Sequence, residues 1–210
     1  MMGLLFPRKC ILCRSLLTGR ELDLCENCRD DTDLWRKGKR KFQFLDSMTA
    51  VWYYEGNVRR SIVRYKFYSA RHLADGFGRQ LAMKLLQDGP EDIDILTWVP
   101  VSFWRRLSRG YDQSELLAQK VGSELLIRPA RCLKKIRNNK KQSTLRDAAQ
   151  RRANVLGVYR VTDPRLVEGQ RILVLDDVLT TGATAGECAR VLLTAGAKEV
   201  HCAVIATARE

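Results

Sequence analysis

Apolar residues along this 210-residue chain follow two rhythms. Short unbroken runs mark buried strands, and apolar positions three to four apart mark helix faces. Met48–Tyr54 is a β-branched and aromatic run, the composition of a strand. Asp94–Val99, Val155–Val161, Ile172–Leu175 and Val200–Ala206 are predicted strands as well. Between them lie helical patterns. Val58, Ile62 and Tyr65 share one face of the segment 54–67, and Leu73, Phe77, Leu81 and Leu85 share one face of Arg71–Gln87. Leu116, Leu117, Val121 and Leu125 follow a start at Asp112, where Glu115 stands three residues on, the spacing of a capping box. Ala185–Ala195 is the last helix, stopped by Gly196, and Asp163–Gly169 reads as a turn. Strands alternating with helices predict an α/β fold, a mostly parallel sheet flanked by helices.

The stretch that organises this pattern is Arg171–Thr184. Its strand ends in two carboxylates, Asp176 and Asp177, followed by a turn of small and hydroxyl residues that runs directly into a helix. A tight turn at Gly182 opening a helix gathers backbone N–H groups and the helix dipole, which suits a phosphate. The threonine hydroxyls add donors to the same anion. The acidic pair repels phosphate but accepts hydrogen bonds from vicinal hydroxyls, so the combination asks for a ribose 5-phosphate. A Walker B strand has the same apolar-then-acidic form, yet no G-x-x-x-x-G-K-[ST] partner exists anywhere in the chain. Gly76-Phe77-Gly78 lacks both a third glycine and a preceding strand, so it is no dinucleotide fingerprint.

Composition adds a partner class and a metal. Lys and Arg outnumber Asp and Glu by 37 to 24, and a net charge of +13 favours anionic partners. No apolar run approaches the roughly 18 residues of a membrane span, and the start is too short in apolar residues for a signal peptide, which predicts a cytoplasmic protein. Four of the seven cysteines form two C-x-x-C knuckles, Cys10/Cys13 and Cys25/Cys28, eleven residues apart. Two such knuckles bring four thiolates around one tetrahedral zinc, with Thr18-Gly19-Arg20 as a turn between two small strands. Four thiolates close the coordination shell, so the expected role is structural.

Two basic segments remain. Arg105, Arg106 and Arg109 stand in a predicted loop between a strand end and a helix start, the sheet edge where ligands bind. They suit either the pyrophosphate of a substrate or nucleic-acid phosphate. Residues 128–152 carry ten Lys or Arg against one acid, Asp147, with Lys140 and Lys141 in a polar middle that predicts a mobile loop. Such a loop either closes over pyrophosphate or is simply solvated.

Residues 172–184 resemble the phosphoribosyl pyrophosphate (PRPP) motif of the type I phosphoribosyltransferases. That resemblance implies that Asp176 and Asp177 hold the ribose hydroxyls while Thr180, Thr181, Gly182, Ala183 and Thr184 wrap the 5′-phosphate. Over nearly its whole length the chain resembles the ComF competence family within that superfamily. The likeness rests on the cysteine ribbon, Tyr54–Phe67 (Y-x-G-x-V-R-x-x-I-x-x-x-K-F), Val99–Ser114, Lys140–Leu145 and Arg151–Val155. Asp112 departs from the asparagine common at its position, and caps a helix equally well.

The resemblance implies three regions: a zinc ribbon over 1–35, a connecting strand and helical hood over 36–90, and a PRPP-binding domain over 91–210. Arg59, Lys66 and Phe67 are then expected in the hood or lid. It further implies a role in natural transformation, handling single-stranded DNA with a helicase and a recombination mediator. A positive groove with aromatics would serve that role, and two or three of Tyr53, Tyr54, Tyr65, Phe67, Tyr68, Phe103, Trp104 and Tyr111 are expected to be exposed. The alternative is a working transferase, amidophosphoribosyltransferase-like or of base-salvage type. It would use Mg²⁺ on the pyrophosphate, with no residue in the sequence marking the acceptor site or the catalytic group.

Overall fold

The computed structural model describes residues 7–36, 41–68, 70–137 and 148–209. Among the described residues the main sheet has four strands, β1 (Ser47–Tyr53), β2 (Ile95–Trp98), β5 (Arg171–Leu179) and β6 (Glu199–Thr207). Their order is β1-β6-β5-β2 and every pairing is parallel. Central β5 sends alternate side chains to opposite faces, as the period of two demands. Leu173 and Leu175 enter one core with Phe77, Leu81, Leu117 and Val121, which come from α3 (Leu73–Asp88) and α5 (Gln113–Leu125). Ile172 and Val174 enter a second core with Cys188, Ala189 and Leu192 of α7 (Ala183–Thr194). Gly78 lets α3 approach α5 closely, since a Cβ there would lie 2.5 Å from Lys120 Cβ.

An antiparallel pair, β3 (Leu133–Lys135) and β4 (Tyr159–Val161), lies outside the main sheet and packs on α7. Between β3 and β4 comes α6 (Ala148–Val155). The predicted strand over 155–161 is therefore shorter: helix occupies its first residue, and Gly157, at φ +68°, turns the chain before β4. The arginine-rich segment is also no loop. It forms the short helix α4 (Phe103–Arg109), closed by Gly110 at φ +74°, the left-handed conformation that commonly ends helices. The expected cap of α5 is present, with Asp112 accepting hydrogen bonds from the backbone N–H groups of Ser114 and Glu115 at 3.0 and 3.1 Å.

Among the described residues the cysteine unit contains a short helix, α1 (Glu26–Asp31), and one bridge between Lys9 and Leu16 instead of two small strands. Its core is shared: Ile11 and Leu12 pack with Ile62 and Tyr65 of α2 (Gly56–Phe67) and with Phe77 of α3. Gly76 of α3 makes room for this docking, because a Cβ there would lie 2.6 Å from Ile11 Cγ2. Asp23 anchors the other side through Arg79 Nε at 3.0 Å. Among the described residues no helix is long and apolar enough to cross a membrane.

Candidate nucleotide site

Asp176 and Asp177 stand where β2 leaves β5. Strand β2 pairs only as far as Trp98 with Leu175, while β6 continues beside β5 to Leu179 and Thr207. Strand β5 thus runs four residues beyond the predicted Leu175, because β6 alone satisfies its backbone. The parting strands open a cleft of about 460 Å³ at their carboxyl ends. Ligands of open α/β sheets bind at such a parting. Its floor is Asp176 and Asp177, and Thr180, Thr181, Gly182, Ala183 and Thr184 form one side.

Gly182 caps α7 at φ +77°, so the helix starts two residues earlier than its apolar pattern suggests. A Cβ at Gly182 would also collide with the ring of Phe42, which is buried behind the turn. Only glycine fits both demands. Phe42 as the backing of this loop is invisible in the sequence, being far away along the chain.

The acidic pair is held from two helices, α2 and α5. Lys66 Nζ at the end of α2 lies 2.8 Å from Asp177 Oδ1, and Gln113 Nε2 donates to Asp177 Oδ2 at 3.3 Å. Ser114 Oγ donates to Asp176 Oδ1 at 3.0 Å. Arg109 donates to Gln113 Oε1 at 2.8 Å, and its guanidinium lies 4.9 Å from the centre of the Phe67 ring. Of the residues singled out in the sequence, Lys66, Phe67, Arg105 and Arg109 line the cleft together with the acidic pair and the turn. Arg106 does not; it faces Glu115 at 3.8 Å from the outer side of α4. Arg59 is exposed on α2 and is absent from the cleft wall. Lys140 and Lys141, with the predicted mobile loop, lie outside the described residues.

Sequence reasoning missed part of the wall. Gln113, Lys135, Arg151 and Tyr159 line it as well. Lys135 and Tyr159 sit on paired strands, and Lys135 Nζ is 5.4 Å from the Tyr159 ring centre. Their signal was present but unreadable: Lys135 is one of ten basic residues in its segment, and only the β3–β4 register separates it from Lys134.

A model of the phosphoribosyl transferase domain matches residues 80–210, more than half of the chain. The chain belongs to the phosphoribosyltransferase family. Its relatives place it on the ComF-like branch of that family. It is 29% identical over 197 residues to competence protein ComFC of Bacillus subtilis, covering 89% of this chain and 78% of that one. It is 31% identical over 145 residues to the DNA utilization protein YhgH of Escherichia coli K12, covering 67% of this chain and 63% of that one. Competence protein F of Haemophilus influenzae is 25% identical over 184 residues, covering 84% of this chain and 75% of that one.

Electrostatics in this phosphoribosyltransferase cleft set cations against the acidic floor. Burial, and then the neighbouring Asp177 charge, push the Asp176 carboxyl up to about 7. Burial alone would lower Lys66, but the Asp177 carboxylate outweighs it and holds the ammonium above its ordinary value. Burial, then repulsion from Arg105, brings Lys135 down to about 8. A site so arranged favours a ligand that brings negative charge to the cations and hydroxyl donors to the carboxylates.

Asp176 gives the cleft a pH dependence. Its folded value lies above the unfolded one, so the folded state binds the extra proton and this group destabilises the fold as pH rises from about 4 to about 7. Binding of hydroxyl donors by the ionised form has the opposite sense. Affinity for a ribose ligand should therefore fall below pH 7, by up to about tenfold per unit, in calorimetric titrations from pH 8 to pH 5.5. Asp176→Asn should flatten that component; an equal slope in the variant would assign the effect to the ligand's own phosphates.

Outside the cleft wall, Cys10, Cys13, Cys25 and Cys28 place their Sγ atoms all within 4.8 Å of one another. Cys13 and Cys25 Sγ are 3.5 Å apart. Sulfurs at about 2.3 Å from a tetrahedral metal lie about 3.8 Å from each other. The four thiolates therefore fit a metal ion such as zinc.

Proposed function

We propose that this chain binds PRPP, or a nucleotide carrying ribose 5-phosphate, and uses that site in DNA uptake, handling single-stranded DNA in the cytoplasm. The carrying observation is that one cleft unites an acidic pair, a helix-capping phosphate turn, and Lys66, Arg105, Arg109 and Lys135. In this reading Asp176 and Asp177 accept the ribose hydroxyls and residues 180–184 hold the 5′-phosphate. Arg105, Arg109 and Lys135 then face the pyrophosphate, with Mg²⁺ accompanying it, and Lys140 and Lys141 are assigned to the same anion or to nucleic acid. Zinc on the four cysteines is structural.

The names of the relatives, two competence proteins and a DNA utilization protein, support the DNA-uptake role. Exposed aromatics support contact with bases: Phe67, Tyr68, Phe103 and Trp104 are all more than half exposed, four rather than the expected two or three. Stacking on such rings needs no sequence preference. A translocating helicase and a recombination mediator are the partners this role calls for.

A second reading is favoured by the intact acidic pair opposite a wall of cations. That is the arrangement for transferring ribose 5-phosphate to a nitrogen acceptor, with the cations stabilising departing pyrophosphate. Fluorescence anisotropy of a labelled single-stranded oligonucleotide, with and without Mg²⁺–PRPP, separates the two. Binding shifted several-fold by PRPP is the result expected for DNA handling. Oligonucleotide binding that is absent or indifferent to PRPP, together with pyrophosphate release on adding an acceptor base, would favour the transferase.

A further inference from the structure

Helix α2 is gripped at two places. Toward its middle, Ser61 Oγ and Arg64 Nη2 both donate to the carbonyl of Ile11, the latter at 3.1 Å, and Arg64 Nη2 also donates to the carbonyl of Leu12 at 2.7 Å. Ile11 and Leu12 are the two residues enclosed by Cys10 and Cys13. A metal held by those cysteines would fix the direction of both carbonyls. One turn earlier, Asn57 faces Cys28 Sγ at 3.9 Å. At its end, α2 meets the cleft: Tyr65 donates to the Gln113 carbonyl at 2.6 Å, Lys66 pairs with Asp177, and Phe67 receives Arg109. A helix of 12 residues fastened at its middle and at its end links the two sites.

We propose that Arg64, assisted by Ser61, is a positioning residue that locks α2 to the Cys10–Cys13 knuckle, so that the state of the four-cysteine site governs how firmly Lys66 engages Asp177. The functional consequence rests on the PRPP reading above; the mechanical coupling does not. Neither Arg64 nor Ser61 lines the cleft, so any effect they have on it passes through α2. The cysteine unit is then a support for the nucleotide site as well as a folded appendage. Loss of its metal would loosen ligand binding at a distance.

The test uses the full metal-loaded chain. Arg64→Met keeps the aliphatic stem and removes both hydrogen bonds. Acylation of the Lys66 amine, read by mass spectrometry, should accelerate by at least about fivefold in this variant, with bound metal retained and Arg64→Lys restoring part of the protection. Equal labelling in wild type and variant would overturn the coupling. Should Arg64→Met lose its metal, Ser61→Ala carries the same measurement. PRPP affinity then tests the route by a double-mutant cycle. In a Lys66→Ala background Arg64→Met should cost nothing further, whereas additive losses would make Arg64 merely structural. A wild type that binds no PRPP would defeat the functional reading and leave the labelling result to decide this one.

Discussion

Asp177→Asn should weaken PRPP binding by about a hundredfold or more. A hydrogen bond to a charged acceptor contributes roughly 1.5–3 kcal/mol, and a ribose diol offers two donors to the acidic floor. The substitution removes the charge but keeps the shape, so the turn at Gly182 and the cap of α7 stay in place. Stability should fall only modestly, by about 1–2 kcal/mol, because the Lys66 side chain that loses its partner is 21% exposed and can reach water. The variant should also lower the Asp176 value, since the neighbouring charge is its second cause after burial. Calorimetric titration with thermal unfolding in parallel checks both parts. A large stability loss with affinity retained would make the pair a structural element instead of a ribose site.

Cys25→Ser should have the largest effect on stability. It removes one of four clustered thiolates, and Cys25 and Cys28 belong to the same core as Phe77, Leu117 and Leu175. Loss of a structural metal ranks among the few single changes that cost more than roughly 4 kcal/mol. For a chain of this size that corresponds to a fall in Tm of roughly 8–16 °C. Because the core is continuous, the loss should appear as one lowered transition and not as melting of a detached appendage. Metal content by elemental analysis should fall with it. Full metal occupancy in Cys25→Ser would refute the assignment of the ligands.

The features legible in the sequence were those in which neighbours along the chain are also neighbours in function. Residues 171–184 form strand, acidic pair, turn and helix within one continuous stretch, and the spacing of the two C-x-x-C knuckles alone announces a cluster of four sulfurs. The Asp112 cap was equally local. What could not be read depends on tertiary register. Phe42 behind Gly182, Lys66 on Asp177, and Lys135 on the cleft wall bring together residues separated by long stretches of chain. Arg106 and Arg59 were indistinguishable from Arg105 and Lys66 by composition, and helix phase turned them away. The arginine segment became a helix because Gly110 supplies a left-handed end, while its exposed Phe103, Trp104 and Leu107 gave no apolar face to recognise as buried.

A cleft that takes ribose 5-phosphate should tell ribose from deoxyribose. Isothermal titration of the metal-loaded chain with Mg²⁺–PRPP, ribose 5-phosphate and 2-deoxyribose 5-phosphate tests it most directly. PRPP should bind tightest, through the added cation contacts, and the deoxy sugar weakest because it lacks one hydroxyl for the acidic pair. Equal affinity for the two sugar phosphates, or no heat with PRPP, would contradict it.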